Sequence, residues 1–73
     1  MVLRRMTDQE FLRKLRRYAR GRGLVVDYRP ELGKSSHAEV RLGERRTYLP
    51  RGEIEPGTLR SILRDLEIDK REF

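Results

Sequence analysis

The stretch HAEVRLGERRTYLP, residues 37–50, decides the fold. Apolar and polar residues alternate over 37–42, which is typical of a β-strand with one buried face and one polar face. Gly43-Glu44 suits a tight turn, and residues 45–49 give a second strand that stops at Pro50. The segment therefore predicts an antiparallel β-hairpin with Ala38, Val40 and Leu42 facing the core.

The residues before this hairpin predict a helix and a further strand. Thr7-Asp8-Gln9-Glu10 reads as a capping box, with Met6 placed to pack against Phe11. Apolar residues then recur at helical spacing until glycines interrupt at positions 21 and 23, so we expect a helix over residues 7–20. Residues 24–28, LVVDY, favour a strand that Pro30 ends, and a polar turn follows over 31–36.

The residues after the hairpin predict a second helix. A loop over residues 51–55 leads to Pro56, which suits a first helical turn, and aliphatic residues repeat at helical spacing up to position 66. Asp69 either caps a short final turn or lies in a frayed end. The order helix, strand, strand, strand, helix predicts an α+β fold, with both helices on one face of a three-stranded antiparallel sheet. Double-stranded RNA-binding domains use the same order.

Length and composition limit the remaining possibilities. We expect a single domain over residues 1–73, with 1–5 as an extension ahead of the first helix. The absence of cysteine and the single histidine leave no disulfide, no thiolate metal site and no histidine cluster. Any chemistry is then either metal-free or uses ions held weakly by carboxylates, and we expect neither a dedicated metal site nor a cofactor. With no long apolar run, we expect no membrane partner and a cytoplasmic location. We also expect a monomer when the chain is free.

The charge favours a polyanionic partner. The formal net charge is +6, and all but three of the 18 basic residues are arginine, whose planar guanidinium matches phosphate oxygens. A codon preference for arginine would produce the same bias. In the first helix, arginines at positions 13, 16, 17 and 20 lie at helical spacing, where they either follow a phosphate backbone or form an ordinary solvated face.

Two segments carry a family resemblance. Lys34-Ser35-Ser36-His37 ahead of the alternating strand, followed by Arg45-Arg46-Thr47-Tyr48-Leu49-Pro50, resembles the centre of the HicA family. Gly52-Glu53-Ile54, leading into PGTLRSILRD over residues 56–65, is similar to that family's closing segment. The resemblance covers about residues 7–69. The family usually has a glycine shortly before its histidine, and many members carry a second histidine where this chain has Arg51.

The resemblance implies an mRNA interferase toxin: a metal-independent endoribonuclease that cleaves mRNA and is neutralised by a HicB-type antitoxin. His37 takes the family's catalytic position. Metal-free RNA cleavage removes a proton from a ribose 2′-OH and donates one to the leaving 5′-oxygen, and an imidazole performs either step near neutral pH. The second proton carrier is left open among Tyr48, Lys34 and water.

Side chains near His37 are the expected RNA ligands: Lys34, Ser36, Arg41, Arg45, Arg46 and Tyr48. Three other interpretations remain open. In the first, His37 is a surface histidine without a function. In the second, the chain is a non-catalytic RNA-binding module of the double-stranded RNA-binding-domain type. In the third, the basic surface docks an acidic protein.

Overall fold

A computed structural model describes residues 5–32 and 37–73. In chain order the elements are β1 (Met6–Thr7), α1 (Asp8–Arg22), β2 (Val26–Arg29), a 3₁₀ turn (Pro30–Leu32), β3 (His37–Leu42), β4 (Arg45–Pro50), β5 (Glu53–Ile54) and α2 (Pro56–Asp65). Strands β2, β3 and β4 form a three-stranded antiparallel sheet with β3 at its centre. The predicted α+β fold is confirmed.

Helix α1 begins where the capping box places it. The Thr7 hydroxyl accepts a hydrogen bond from the Glu10 backbone N–H at 3.2 Å, and the Glu10 carboxylate accepts one from the Thr7 N–H at 3.0 Å. The predicted end at residue 20 is too early, because the helix continues through Gly21 to Arg22. Gly23 ends it in the left-handed conformation, with φ of 67°, which a glycine adopts without steric cost.

The core lies between the two helices and one face of the sheet, called here the inner face. Helix α1 contributes Phe11, Leu12, Leu15 and Ala19, helix α2 contributes Leu59, Ile62 and Leu63, and the sheet contributes Val40, Leu42 and Leu49. Each of these side chains is almost fully buried. The alternation predicted for residues 37–42 is therefore confirmed on its apolar side.

Three further local predictions differ from the structure. Leu24 and Val25 precede β2 rather than opening it, and Val25 remains 73% exposed. Pro50 is the last residue of β4 instead of the residue after it; β4 is an edge strand, where a missing N–H is tolerated. The expected loop over 51–55 contains β5, whose Ile54 and Glu53 pair antiparallel with Met6 and Thr7 of β1.

Residues beyond α2 pack onto the domain. Leu66 and Ile68 are buried, and the Phe73 ring lies 5.2 Å from the Phe11 ring, centroid to centroid. The Asp69 carboxylate accepts a hydrogen bond from the Arg71 backbone N–H at 2.9 Å. Of the two alternatives for the C-terminal end, the capped turn is the one observed.

No helix within residues 5–32 and 37–73 has the length and apolar character needed to cross a membrane.

Candidate functional site

His37 is the first residue of β3. It lies on the side of the sheet that faces away from the helices, called here the outer face. Its neighbours in sequence alternate, so Ala38 is buried on the inner face while His37 is partly exposed. Strand register places these further residues on the outer face: Asp27 and Arg29 of β2, Glu39 and Arg41 of β3, and Arg46 and Tyr48 of β4.

Pro50 of β4 lies directly opposite His37. Tyr48 and Arg29 are the diagonal outer-face neighbours of His37 on β4 and β2. Both lie directly opposite Glu39, one on each side of β3. Each is therefore a diagonal neighbour of His37, at about 7–8 Å between Cα atoms. Tyr48, 44% exposed, was among the predicted RNA ligands. Arg29 was missed, because only the pairing of β2 with β3 brings it beside the histidine.

Arg29 is held by acidic neighbours on its own segment. Its Nε donates to the Asp27 carboxylate at 3.0 Å, and an Nη nitrogen lies 3.8 Å from the Glu31 carboxylate. The hydrogen bond from Arg29 to Asp27, followed by the charge of that carboxylate, raises the pKa of Arg29 above its usual range. These contacts therefore favour the charged form of the guanidinium.

Glu39 is a carboxylate buried on the otherwise open outer face. Its side chain is 5% exposed, and the Arg41 Nε donates to its Oε1 at 2.6 Å. A second guanidinium, that of Arg46, lies 4.0 Å from Oε2. Sequence alternation placed Glu39 on the polar face but gave no sign that cross-strand neighbours would cover it. Because Arg41 contacts Glu39 through Nε, its Nη groups remain donors for a second anion.

Arg41 and Arg46 face each other across β3 and β4, beside a shallow depression that Gly43 and Glu44 complete. Arg41 is four residues along β3 from His37, which corresponds to about 13 Å. This spacing of the Cα atoms favours contacts with different phosphates of one strand. The pair is placed to bind a phosphate further along a strand than the one beside His37.

The other predicted RNA ligands do not join this group. Arg45 pairs in register with Leu42, which gives it the inner-face side of β4, and it forms an ion pair with Glu67 at 2.8 Å. Lys34 and Ser36 lie outside the described residues. Within residues 5–32 and 37–73, no three His, Asp or Glu side chains are grouped so that they could hold a metal ion.

Comparison of the chain with models of known protein families, with curated proteins and with solved structures found no match.

Proposed function

We propose that this protein is an mRNA interferase, a metal-independent endoribonuclease in which His37 transfers a proton during cleavage. The observation that carries the proposal is the position of the only histidine. It is partly exposed on a polar sheet face, with Tyr48 and Arg29 as diagonal neighbours on the two adjacent strands. The resemblance of residues 34–50 to the HicA family supports the choice of RNA cleavage over other histidine chemistry.

The chemistry needs a proton removed from a ribose 2′-OH as its oxygen attacks the phosphorus, and a proton supplied as the P–O5′ bond breaks. The products are a 2′,3′-cyclic phosphate and a free 5′-OH. His37 performs one of these transfers, worth about 10²–10⁴ in rate for a positioned group. Tyr48, a diagonal neighbour of His37 on the outer face, carries a hydroxyl and serves as the second proton carrier, with Lys34 and water as the alternatives.

The arginines of the outer face have different tasks in this proposal. Arg29 lies closest to His37 and stabilises charge on the phosphate being cleaved. Arg41 and Arg46 bind a neighbouring phosphate, because strand geometry sets them about 13 Å away. The proposal also includes a HicB-type antitoxin as the inhibitor, a cytoplasmic location and a monomer when free, each resting on the same resemblance or on the expectations from composition.

One observation favours a second candidate, a non-catalytic RNA-binding module. The outer-face arginines are paired with carboxylates, whereas four arginines on α1, away from His37, have no ion pair within residues 5–32 and 37–73. A protein that only binds RNA needs this basic surface and not the histidine.

The deciding experiment is cleavage of a long single-stranded RNA in the presence of EDTA, comparing the wild type with His37→Ala and His37→Gln. We expect cleavage by the wild type, with a 2′,3′-cyclic phosphate end, and loss of about 10²-fold or more in both variants. Circular dichroism and RNA affinity should be unchanged, because His37 is not part of the core.

Equal cleavage by all three proteins excludes His37 as the catalyst. Absence of cleavage by the wild type, with RNA binding intact, replaces the nuclease by the binding module.

A further inference from the structure

The exposed side of α1 carries the strongest concentration of positive charge among the described residues. Gln9, Arg13, Arg16, Arg17 and Arg20 line one shallow groove. We call these four arginines the α1 arginine face. They lie away from the stripe of Phe11, Leu12, Leu15 and Ala19, which packs against the inner face of the sheet. The groove and His37 are therefore on opposite sides of the molecule.

The α1 arginine face differs from most of the basic surface in that four neighbouring arginines lack a counter-charge. Seven arginines elsewhere pair with carboxylates at 2.6–4.0 Å: Arg5 with Glu53, Arg22 with Glu72, Arg29 with Asp27, Arg41 and Arg46 with Glu39, Arg45 with Glu67, and Arg71 with Asp69. Arg51, Arg60 and Arg64 have no ion pair within the described residues, but they do not form a group of four on one helix face. Within residues 5–32 and 37–73, none of the four α1 arginines has an ion pair or a hydrogen bond from its side chain.

Four like charges within two helical turns repel each other in the free protein. An anion bound in the groove removes that repulsion. Arg13 and Arg20 are seven residues apart, so the face extends about 10 Å along the helix. That length suits several successive phosphates of a flexible strand better than one isolated anion.

The chemistry of the face favours nucleic acid over an acidic protein. A protein interface has an apolar or aromatic centre inside its polar rim. Exposed large apolar residues of the described chain are Leu24, Val25, Leu32 and Tyr48, and none of them lies on α1. Binding of a phosphate backbone needs only correctly spaced cations, and guanidinium groups are the most effective of these.

We propose that the α1 arginine face binds the sugar-phosphate backbone of single-stranded RNA, independently of base sequence, at a site separate from His37. The identity of the ligand as RNA rests on the proposed function. The face holds a part of a long RNA that is not being cleaved, while another part reaches the outer face of the sheet around the edge of the domain.

The test compares two variants that lose the same charge. Arg16→Gln/Arg20→Gln removes two cations from the α1 arginine face. Arg60→Gln/Arg64→Gln removes two from α2 with the same four-residue spacing, and these side chains are also exposed and without an ion pair within the described part of the chain. Glutamine keeps a helix propensity close to that of arginine, so folding is preserved.

Both pairs are made in a His37→Ala background, and affinity for a fluorescent oligouridylate long enough to reach both sides of the domain is measured over a range of salt concentrations. Each phosphate contact contributes about 0.7 to the log–log salt slope on single strands, or roughly fivefold in affinity at 0.1 M salt relative to 1 M. We expect the α1 variant to bind the oligonucleotide about 25-fold more weakly at 0.1 M salt, and its log–log salt slope to fall by about 1.4. The α2 variant should change less than threefold.

Equal losses in both variants mean that only net charge matters and overturn the proposal. Unchanged affinity in the α1 variant also overturns it and leaves an acidic protein as the partner of that face. Since affinity is measured without cleavage, failure here leaves the nuclease assignment untouched. Conversely, a wild type that does not cut RNA can still show the α1-specific loss of binding.

Discussion

Replacement of Glu39 by glutamine tests the buried carboxylate of the outer face. The substitution keeps the shape and an acceptor oxygen but removes the charge that faces Arg41 and Arg46. Loss of one partner from a fully buried ion pair costs about 3–5 kcal/mol. Here the arginine side chains are 46% and 61% exposed, so water hydrates them after the change. We therefore expect a smaller loss of about 1–2 kcal/mol.

The assay is thermal unfolding followed by circular dichroism at neutral pH. A loss of 1 kcal/mol lowers the Tm of a domain of this size by about 4–8 °C, so Glu39→Gln should melt about 4–16 °C below the wild type. Glu44→Gln in the exposed β3–β4 turn is the matched control, and should stay within about 0.5 kcal/mol. The same Glu39 variant should bind RNA more tightly, because two guanidinium groups lose their counter-charge.

A double-mutant cycle assigns the effect to the contact. Glu39→Gln and Arg41→Gln share the 2.6 Å hydrogen bond, so their combined cost should fall short of the sum by at least about 0.5 kcal/mol. Additive effects, or an unchanged Tm in the single Glu39 variant, would refute the claim that this carboxylate organises the outer face.

Two further predictions concern the core and the C-terminal turn. Leu63 is 2% exposed, and its replacement by alanine should lower the free energy of unfolding by about 2–5 kcal/mol, as measured by denaturant unfolding. The same change at the exposed Leu32 should lower it little. Equal losses would contradict the observed packing of α2. The hydrogen bonds that Arg71 donates hold the pKa of Asp69 below its ordinary value of 3.8. The Asp69 carboxylate therefore stabilises the turn above pH 3.8, and this stabilisation is lost as the pH falls through the lowered pKa. NMR titration of the Arg71 amide should show a midpoint below 3.8 that Asp69→Asn abolishes, and a midpoint at or above 3.8 would disprove it.

The elements with strong local signals were predictable from sequence. The capping box fixed the start of α1, and alternation with a two-residue turn located β3 and β4. The ladder between Met6–Thr7 and Glu53–Ile54 was not predictable, because strands of two residues carry no periodicity. The observed bounds of β2 differ from the predicted residues 24–28, and this difference also depends on tertiary structure. Its pairing starts at Val26 opposite Leu42, the last residue of β3, and this leaves Val25 outside the sheet.

The candidate site was predictable along one strand and not across strands. Alternation alone placed His37, Glu39 and Arg41 on one face. The register of the neighbouring strands decides which other residues join them, so Arg29 was not among the predicted residues, and Arg45, which was, lies on the opposite face from His37. A two-residue turn after Leu42 makes Arg45 its partner, and this consequence of the predicted hairpin was available from the sequence. The ion pair of Arg45 with Glu67 was not, because it depends on how the chain turns after α2.

The edges of the sheet bear on how the protein behaves when concentrated. Among the residues that the structure describes, strands β2 and β4 each have one side without a neighbouring strand, which is where copies of a β-protein join into aggregates. A strand of a second copy that approached β4 would contact Arg45 and Arg46, whose charges repel an identical strand, and Pro50, which offers no N–H. Growth of the sheet from one copy to the next is thereby disfavoured at the β4 edge, and the hairpin that specifies the fold also protects that edge from aggregation.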